Sequence, residues 1–241
     1  MILRVGCAGF ALPQSEYVAR FPLVEVQQTF YQPPRPATAA RWRALAPAGF
    51  VFSIKAWQLI THEVSSPTYR RLTRPIPEAA RDRYGGFRPT AEVQEAWQAT
   101  RAICDAVAAP IVLFQTPPAF TPTATHRARL ERFFGEVDRG GRRFVWEPRG
   151  LWEAPDVESL CRKLGLVHGV DPLQQRTTTP GLAYYRLHGS GAAAGSYGEL
   201  ELEKIFLACE GFDEVYVVFN NLGMAKDAGR FGALVRALGD A

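Results

Sequence analysis

The chain has 241 residues and a formal net charge of +4, with 47% hydrophobic and 22% charged residues. These values are ordinary for a folded globular protein, and they exclude a disordered chain and a collagen-like chain. The mild positive charge permits an anionic partner but does not require one.

Cysteine spacing and the apolar runs indicate a cytoplasmic protein. Cys7, Cys104, Cys161 and Cys209 are far apart and lie in apolar surroundings, which is typical of buried thiols rather than a disulfide framework or a zinc site. The opening MILRVGCAGF lacks the basic start and long apolar stretch of a signal peptide. No uncharged apolar run approaches the roughly 20 residues of a membrane helix, so we expect no membrane association.

Eight short, β-branched apolar runs follow one another along the chain. They are ILRVG (2–6), LVEVQ (23–27), FVFSIKA (50–56), PIVLFQ (110–115), RRFVWE (142–147), GLVHGV (165–170), LAYYRLH (182–188) and EVYVVFN (214–220). Most precede a segment with helical periodicity, such as AEVQEAWQATRAICDAVA or THRARLERFFGEV, whereas DPLQQRTTTPG after the sixth run indicates an irregular crossing. Alternating strands and helices predict parallel βαβ units. Eight units at this length favour one α/β domain over residues 1–241, a (β/α)8 barrel of the TIM type.

The connection after the third strand is the longest, running from Trp57 to about Arg88. It contains prolines, a Gly-Gly pair and six arginines, at positions 70, 71, 74, 81, 83 and 88. A long loop without regular structure is usually a functional lid or a disordered segment, and both remain open.

Polar residues near the carboxyl ends of four strands share one parity within each strand. They are Glu25 with Gln27, Ser53 with Lys55, Glu147 with Arg149, and Arg186 with His188. The residues of the other parity, such as Ile54 and Trp146, are apolar. Because alternate residues face opposite sides of a strand, we expect the polar set to point into the barrel mouth, where barrel enzymes carry their active sites.

Four of these polar residues are candidate catalytic groups: Glu25, Lys55, Glu147 and His188. A lysine in a low-dielectric mouth can act as a base or Schiff-base former, or stay charged and hold an anion; the alternative is a structural ion pair with Glu25 or Glu147. Two glutamates can divide acid and base roles if their environments separate their pKa values, and the alternative is that they compensate neighbouring cations. His188 can shuttle a proton or bind a metal ion.

Nine further residues are candidate substrate-binding groups: Tyr31, His62, Gln115, Arg149, Asp171, Arg186, Tyr197, Asn220 and Asn221. The arginines can grip a carboxylate or phosphate, or be paired internally. The tyrosines can stack on a ring or pack in the core. The amides can orient a substrate or satisfy loop backbone groups, and His62 can equally anchor the long loop.

The sequence predicts no obligatory cofactor, and a divalent metal ion is the one candidate. Asp171, Glu147 and His188 form a set of a kind that suits a divalent metal ion, but no local metal motif is present. Gly189, Gly191 and Gly195 follow the seventh strand, where barrels often build a phosphate site, although their spacing matches no phosphate-binding fingerprint.

Seven short motifs carry a family resemblance. RVGCAGF resembles VGTSGW, VEVQQTFYQPP resembles VEINSTFYRPP, FVFSIKAWQLITH resembles FRFSVKAPRxITH, LFQTPPAF resembles LFQLPPSF, and WEPRGLW resembles EFRHxSW or EPRGxSW. YYRLHG with Tyr197, and VYVVFNNLGMAKDA, complete the set. In this order, from residue 3 to about 229, they resemble the YecE-like proteins, the domain-of-unknown-function family 72. The resemblance implies a (β/α)8 barrel in the cytosol and no established reaction.

The chain departs from that family pattern at two places. Gln27 stands where the family often has asparagine, and Gly150 and Leu151 stand where a histidine and another residue often follow the arginine. If that histidine had a catalytic role, any shared chemistry would rest on Glu147 and Arg149.

Three functions fit these observations. The leading hypothesis is an enzyme that acts at the mouth on a phosphorylated or otherwise anionic small molecule, such as a sugar or nucleotide, with the reaction type open. The first alternative is a nucleic-acid-binding or -processing protein, in which the arginines of segment 69–88 contact phosphates and its aromatic residues stack on bases, although nearby acidic residues dilute the patch. The second alternative is a non-catalytic ligand sensor. The oligomeric state is left open.

Overall fold

In the computed structural model, which describes residues 1–189 and 195–239, eight strands form one closed, all-parallel barrel. The strands are β1 (Ile2–Ala8), β2 (Leu23–Val26), β3 (Val51–Lys55), β4 (Ile111–Thr116), β5 (Arg143–Pro148), β6 (Leu166–Val170), β7 (Leu182–Leu187) and β8 (Glu214–Phe219). Each strand pairs with its neighbour in sequence, and β8 closes the ring against β1, from Ile2↔Glu214 to Cys7↔Phe219. The predicted (β/α)8 barrel is confirmed.

Helices connect most of the strands. Within the described ranges they are α1 (Gln14–Arg20), α2 (Gln28–Tyr31), α3 (Pro36–Leu45), α4 (Gln58–Thr61), α5 (Ala91–Val107), α6 (Ala124–Glu136), α7 (Ala154–Leu164), α8 (Glu199–Leu207) and α9 (Met224–Gly239). The connection over residues 171–181, between β6 and β7, holds no helix, as its sequence predicts. Of the helices described, none is long and apolar enough to cross a lipid bilayer.

Local sequence signals account for the bounds of several helices. Thr90 and Thr123 precede α5 and α6, and their hydroxyls accept hydrogen bonds from the backbone N–H groups of Val93 (3.4 Å) and His126 (3.1 Å). Such caps satisfy N–H groups that have no partner inside the helix. Helix α7 ends at Gly165, whose φ of 58° lies in the left-handed region that favours glycine.

Two apolar cores separate the polar groups at the carboxyl ends of the strands from the Arg4–Glu214–Arg143 ion pairs at the amino ends. The outer core, between strands and helices, is rich in aromatic rings; Phe114 contacts Phe133, Phe134 and Phe144 at centroid distances between 5.1 and 5.8 Å. The inner core is built mainly from Leu23, Ile111, Leu113, Val145, Leu182, Tyr184, Tyr216 and Val218. Because these side chains fill the barrel, the inward polar residues beyond them collect at the carboxyl ends of the strands.

The long connection after β3 is folded against the barrel, which answers a question that the sequence left open. Besides α4 it contains two 3-10 turns, Pro67–Arg71 and Glu78–Arg83. Tyr69 and Phe87 are buried, and the Tyr69 hydroxyl donates to the His62 carbonyl at 2.7 Å. Gly85 (φ 74°) approaches that carbonyl so closely that an added Cβ would lie 1.8 Å from its oxygen. These contacts make the segment a wall beside the mouth.

Candidate functional site

Inward residues of five strands meet at the barrel mouth. Glu25 on β2, Lys55 on β3, Gln115 on β4, Glu147 on β5 and Arg186 on β7 are joined by direct hydrogen bonds. Strand parity predicts an inward orientation for four of them, Glu25, Lys55, Glu147 and Arg186, whereas Gln115 was predicted only as a residue at the end of its strand; the structure brings all five together.

Arg186 is the hub of this network. Its side chain is 0% exposed; Nε and Nη2 donate to the Glu25 carboxylate at 2.9 Å each, and Nη1 donates to Glu147 at 2.6 Å. Although burial alone lowers the pKa of a guanidinium, Glu147 and Glu25 raise the pKa of Arg186 above its usual value. Arg186 is therefore an internal charge partner, and its predicted role as a substrate-binding group does not fit its complete burial.

Glu25 is also enclosed. It is 0% exposed and accepts a hydrogen bond from the Tyr184 hydroxyl at 2.7 Å, while that hydroxyl lies 2.7 Å from Ser53 Oγ. The Gln27 amide donates to the same carboxylate. A carboxylate with these partners and no access to solvent balances Arg186, so its predicted catalytic role gives way to the charge compensation that the sequence also allowed.

Glu147 lies between two arginines. Its Oε2 accepts from Arg186, and its Oε1 lies 2.5 Å from Nη2 of Arg149. Burial opposes ionisation, but Arg186 and Arg149 outweigh it and lower the pKa of Glu147 to about 2. The group therefore stays ionised at neutral pH and suits the role of orienting Arg149 rather than donating a proton.

Arg149 and His188 form the solvent-facing side of the network. The Arg149 side chain is 33% exposed, and its Nη2 lies 2.5 Å from His188 Nε2. Burial, together with Arg186 and Arg149, lowers the pKa of His188 to about 4. His188 is thus neutral at pH 7, with the Nε2 lone pair accepting from the guanidinium.

A small polar pocket of about 340 Å³ opens beside this pair, between the ends of β5 and β6. Its lining includes Arg149, Asp171, Gln174 and Gln175. Asp171 accepts from the Leu173 backbone N–H at 3.0 Å, and burial raises the pKa of its carboxyl. The described residues contain no group of three or more His, Cys, Asp or Glu side chains placed to hold a metal ion, so they do not support the Glu147–Asp171–His188 set suggested by the sequence.

Lys55 differs from the other charged groups because it has no acidic partner. Its ammonium donates to the neutral Gln115 Oε1 at 2.8 Å and lies 4.2 Å from the centre of the Phe30 ring. Among the residues described, no carboxylate lies within salt-bridge distance of it. Burial, followed by the charge of Arg186, lowers the pKa of Lys55 to about 7.

Two predicted substrate-binding residues lie at the edge of the mouth. The Tyr31 ring is covered by the Arg71 guanidinium at 3.6 Å, which joins the long connection to α2. His62 is 5% exposed; its Nδ1 lies 2.8 Å from Thr61 Oγ1, and its ring packs on Phe30 at 4.9 Å. Burial, followed by the charge of Lys55, lowers the pKa of His62 to about 3.

The residues predicted after β7 and β8 mostly have structural contacts. Tyr197 is 2% exposed, packs on Phe219 and accepts from the Gly189 N–H at 2.6 Å, so it does not stand open for stacking on a ligand. Asn221 is buried and donates to Asp227 (2.7 Å) and to the Gly195 carbonyl (3.1 Å). Both residues therefore follow the core-packing and loop-satisfying alternatives.

The remaining predictions after β7 and β8 concern Asn220 and a phosphate-binding loop. Asn220 is half-buried at the end of β8, and its backbone N–H donates to Leu187 at 2.7 Å. Gly191 of the predicted phosphate loop lies outside the described residues. The first turn of α9 carries the buried carboxylate of Asp227, whose Oδ2 accepts hydrogen bonds from the Tyr197 backbone N–H and the Asn221 amide.

Sequence reasoning missed Tyr184 and Phe30. Tyr184 lies two residues before Arg186 on β7 and shares its parity, so strand parity predicts that it also points inward. Phe30 follows β2 in a short helix, where strand parity carries no information.

Comparisons with known proteins agree with this architecture. The model of a family described as "Protein of unknown function DUF72" matches residues 12–240. A DUF72 family protein from Enterococcus faecalis V583 is 21% identical, with a TM-score of 0.74 over 99% of this chain and 98% of that one. A DUF72 family protein from Thermotoga maritima MSB8 is 20% identical, with a TM-score of 0.71 over 98% of this chain and 100% of that one.

A more distant likeness extends to an enzyme. Endonuclease IV from Thermus thermophilus is 11% identical, with a TM-score of 0.54 over 99% of this chain and 100% of that one, which indicates a shared fold alone. No curated protein matches the chain.

Proposed function

Because the chain belongs to the DUF72 family of proteins of unknown function, we propose its function from the chemistry of its own site: an enzyme that binds and transforms an anionic small molecule at the barrel mouth. A phosphorylated sugar or nucleotide has the required charge. The family assignment and the shared fold leave the reaction open, since one fold hosts many reactions.

The unpaired ammonium of Lys55 carries this proposal. The two mouth glutamates already bind the guanidinium groups of Arg186 and Arg149, and their charges act on Lys55 without a direct ion pair. Lys55 is 6% exposed, and within the described residues its ammonium contacts a neutral amide and an aromatic ring. A buried cation without an anionic partner is costly, and a bound anion would remove that cost. The mouth is therefore preorganised for a negatively charged group.

Arg149 supplies the second contact in this proposal. Its guanidinium is held by Glu147 and His188 but keeps an exposed side toward the pocket that it shares with Asp171. A guanidinium fixed in this way binds a carboxylate or phosphate with little loss of side-chain entropy.

Lys55 is also the group best suited to transfer a proton. A general acid or base works best when its pKa lies near the operating pH, and the pKa of Lys55 is lowered to about 7. Glu147, with a pKa lowered to about 2, stays ionised, and the Nε2 lone pair of His188 is engaged by Arg149. We assign catalysis to Lys55 and positioning to Glu147 and His188.

The proposal is tested by calorimetric titration of sulfate, ribose 5-phosphate and adenosine 5′-monophosphate into the wild type and Lys55→Met. Lys163→Met is the matched control, because Lys163 forms a surface ion pair with Glu131. We expect binding to weaken at least tenfold in Lys55→Met and to be unchanged in Lys163→Met. Equal affinities in all three proteins, or no binding to the wild type, would refute the anion site.

The nucleic-acid alternative receives less support from the geometry. Three of the six arginines in the long connection are paired with glutamates, as Arg81–Glu78, Arg83–Glu92 and Arg88–Glu63. A gel shift at two salt concentrations separates the two proposals, since phosphate contacts by several arginines give steep salt dependence. Binding of a small anion without turnover would instead favour a ligand sensor.

A further inference from the structure

We propose that a cleft beside Lys55 is a second subsite, which holds a planar heterocyclic ring belonging to the same anionic substrate. The cleft, here called the ring cleft, lies between residues 61–68 after β3 and residues 117–126 after β4, and its volume is about 530 Å³. Pockets for small organic ligands have volumes of roughly 300–1,000 Å³. This inference rests on the proposed anion site, and it names the class of molecule that the site takes.

Residues that contact Lys55 adjoin the wall of the ring cleft. Gln115, which accepts the hydrogen bond from Lys55, is followed two residues later by Pro117 in the cleft wall. On the other side, the Phe30 ring contacts both the Lys55 ammonium (4.2 Å) and the His62 ring (4.9 Å), and His62 also lines the cleft. One molecule can therefore place a negative group near Lys55 and extend past Gln115 into the cleft.

The walls of the ring cleft favour a flat ring. The half-buried ring of His126 lines the cleft and can meet a ligand ring. Behind it lies the buried Phe120 ring, with centroids 4.2 Å apart and planes inclined by 25°, and Phe120 stacks in turn on Trp152 at 6.0 Å and 24°. Prolines 67, 117 and 118 complete an apolar surface. A flat ring in contact with such side chains gains stacking energy, whereas an open sugar chain does not.

The polar groups of the cleft suit the edge of a heterocycle rather than a second charged group. His62 is neutral, since burial and the charge of Lys55 lower its pKa to about 3. His126 Nδ1 lies 2.7 Å from the Thr121 carbonyl, which can only accept, so Nδ1 carries the proton and Nε2 is left as an acceptor. Ser65, Ser66 and Thr68 add hydroxyl groups, and the lining, as far as the chain is described, contains no lysine or arginine. It also contains Glu63, whose carboxylate is paired with Arg88 at 2.8 Å.

The decisive experiment compares three probes by calorimetry: adenosine 5′-monophosphate, ribose 5-phosphate and adenosine. Ala119→Trp fills the cleft without removing a side-chain hydrogen bond, and His126→Ala removes the stacked ring. Glu210→Trp is the matched control, because Glu210 lines a different groove beside α8.

We expect the nucleotide to bind about 5- to 150-fold more tightly than ribose 5-phosphate, which is the range for stacking one base on an aromatic side chain. Ala119→Trp and His126→Ala should remove most of this advantage while changing ribose 5-phosphate affinity less than twofold. Glu210→Trp should change neither affinity.

The outcomes separate the two proposals. If ribose 5-phosphate binding depends on Lys55 but the nucleotide gains nothing, or keeps its gain in Ala119→Trp, the ring cleft is refuted and the anion site stands. If no probe binds, or if Lys55→Met binds as tightly as the wild type, the anion site fails and the ring cleft fails with it.

Discussion

Replacing Arg186 by methionine tests the central network directly. Methionine replaces the unbranched apolar stem of the side chain but lacks the guanidinium that binds both Glu25 and Glu147. Since Arg186 is 0% exposed and Glu147 is 3% exposed, water cannot take its place without opening the barrel. Removing one partner of a buried ion pair costs about 3–5 kcal/mol, because an unpaired charge remains inside the protein.

The loss of stability caused by Arg186→Met should depend on pH. In the wild type the pKa of Glu147 is lowered to about 2, so its pairing contributes stability that is complete above about pH 4.5 and is lost as the pH falls toward 2. Without Arg186, we expect the opposing effect of burial to outweigh the remaining charge of Arg149 and to raise the pKa of Glu147 above its usual value. A raised carboxyl pKa contributes stability at low pH that is lost as the pH rises, so Arg186→Met should be less destabilising at pH 5 than at pH 8.

Urea denaturation followed by circular dichroism measures both effects. At neutral pH we expect a loss of about 3–5 kcal/mol, or a fall in Tm of roughly 6–20 °C for a chain of this size. Arg149→Met is the matched control, because Arg149 binds the same glutamate from a position that is 33% exposed, and it should cost less than about 1 kcal/mol. If the two variants are equally stable, or if the Arg186→Met penalty grows toward pH 5, the described network is wrong.

Three further predictions concern the mouth and its wall. Because the pKa of Lys55 is lowered to about 7, sulfate affinity measured by calorimetry should fall about tenfold from pH 6 to pH 8 as the ammonium loses its proton, and a flat profile would contradict this assignment. Gly85→Ala would place a Cβ 1.8 Å from the His62 carbonyl oxygen, so it should lower Tm by several degrees and expose the long connection to proteases, whereas Gly49→Ala has open space and should not. The imidazoles of His62 and His188 should stay neutral from pH 8 to pH 5 in nuclear magnetic resonance titrations, because burial and nearby cations lower their pKa values to about 3 and about 4; a midpoint near 6.5 would show that they are solvated.

The strands were predictable because a barrel strand is apolar on both faces over most of its length. All eight predicted runs are strands, with bounds that differ by one or two residues. Strand β1 extends past the predicted end to Ala8, because Cys7 and Ala8 pair with Val24 and Glu25. Such pairing depends on a neighbour's register, which local sequence does not contain. The sequence also left open whether the long connection is ordered, because this depends on contacts with distant residues. Its prolines and glycines are visible in the sequence, but the Tyr69 contact with the His62 carbonyl is not.

The candidate site was predictable only as far as strand parity reaches. Parity identifies which side chains point into the mouth, but it does not separate a buried charge partner from a group open to a ligand. Arg149 and Arg186 both point inward, yet one is 33% exposed and the other 0%. Tyr197 and Asn221 lie beyond their strands, where no period applies, and their roles depend on contacts with Gly189, Gly195 and Asp227.

Gly150, the residue after Arg149, packs against the backbone of the ring-cleft wall. A Cβ at Gly150 would lie 2.6 Å from the carbonyl oxygen of Phe120 and 3.0 Å from that of Pro118, so this position admits no side chain while the cleft wall keeps its place. Trp152 Nε1 donates to the same Phe120 carbonyl at 2.6 Å, which holds the wall against the end of β5. The sequence pattern with histidine at this position is therefore incompatible with the wall seen here. It follows that the residue after Arg149 determines how closely residues 117–120 approach the mouth, and hence whether a cleft of this shape exists beside Lys55.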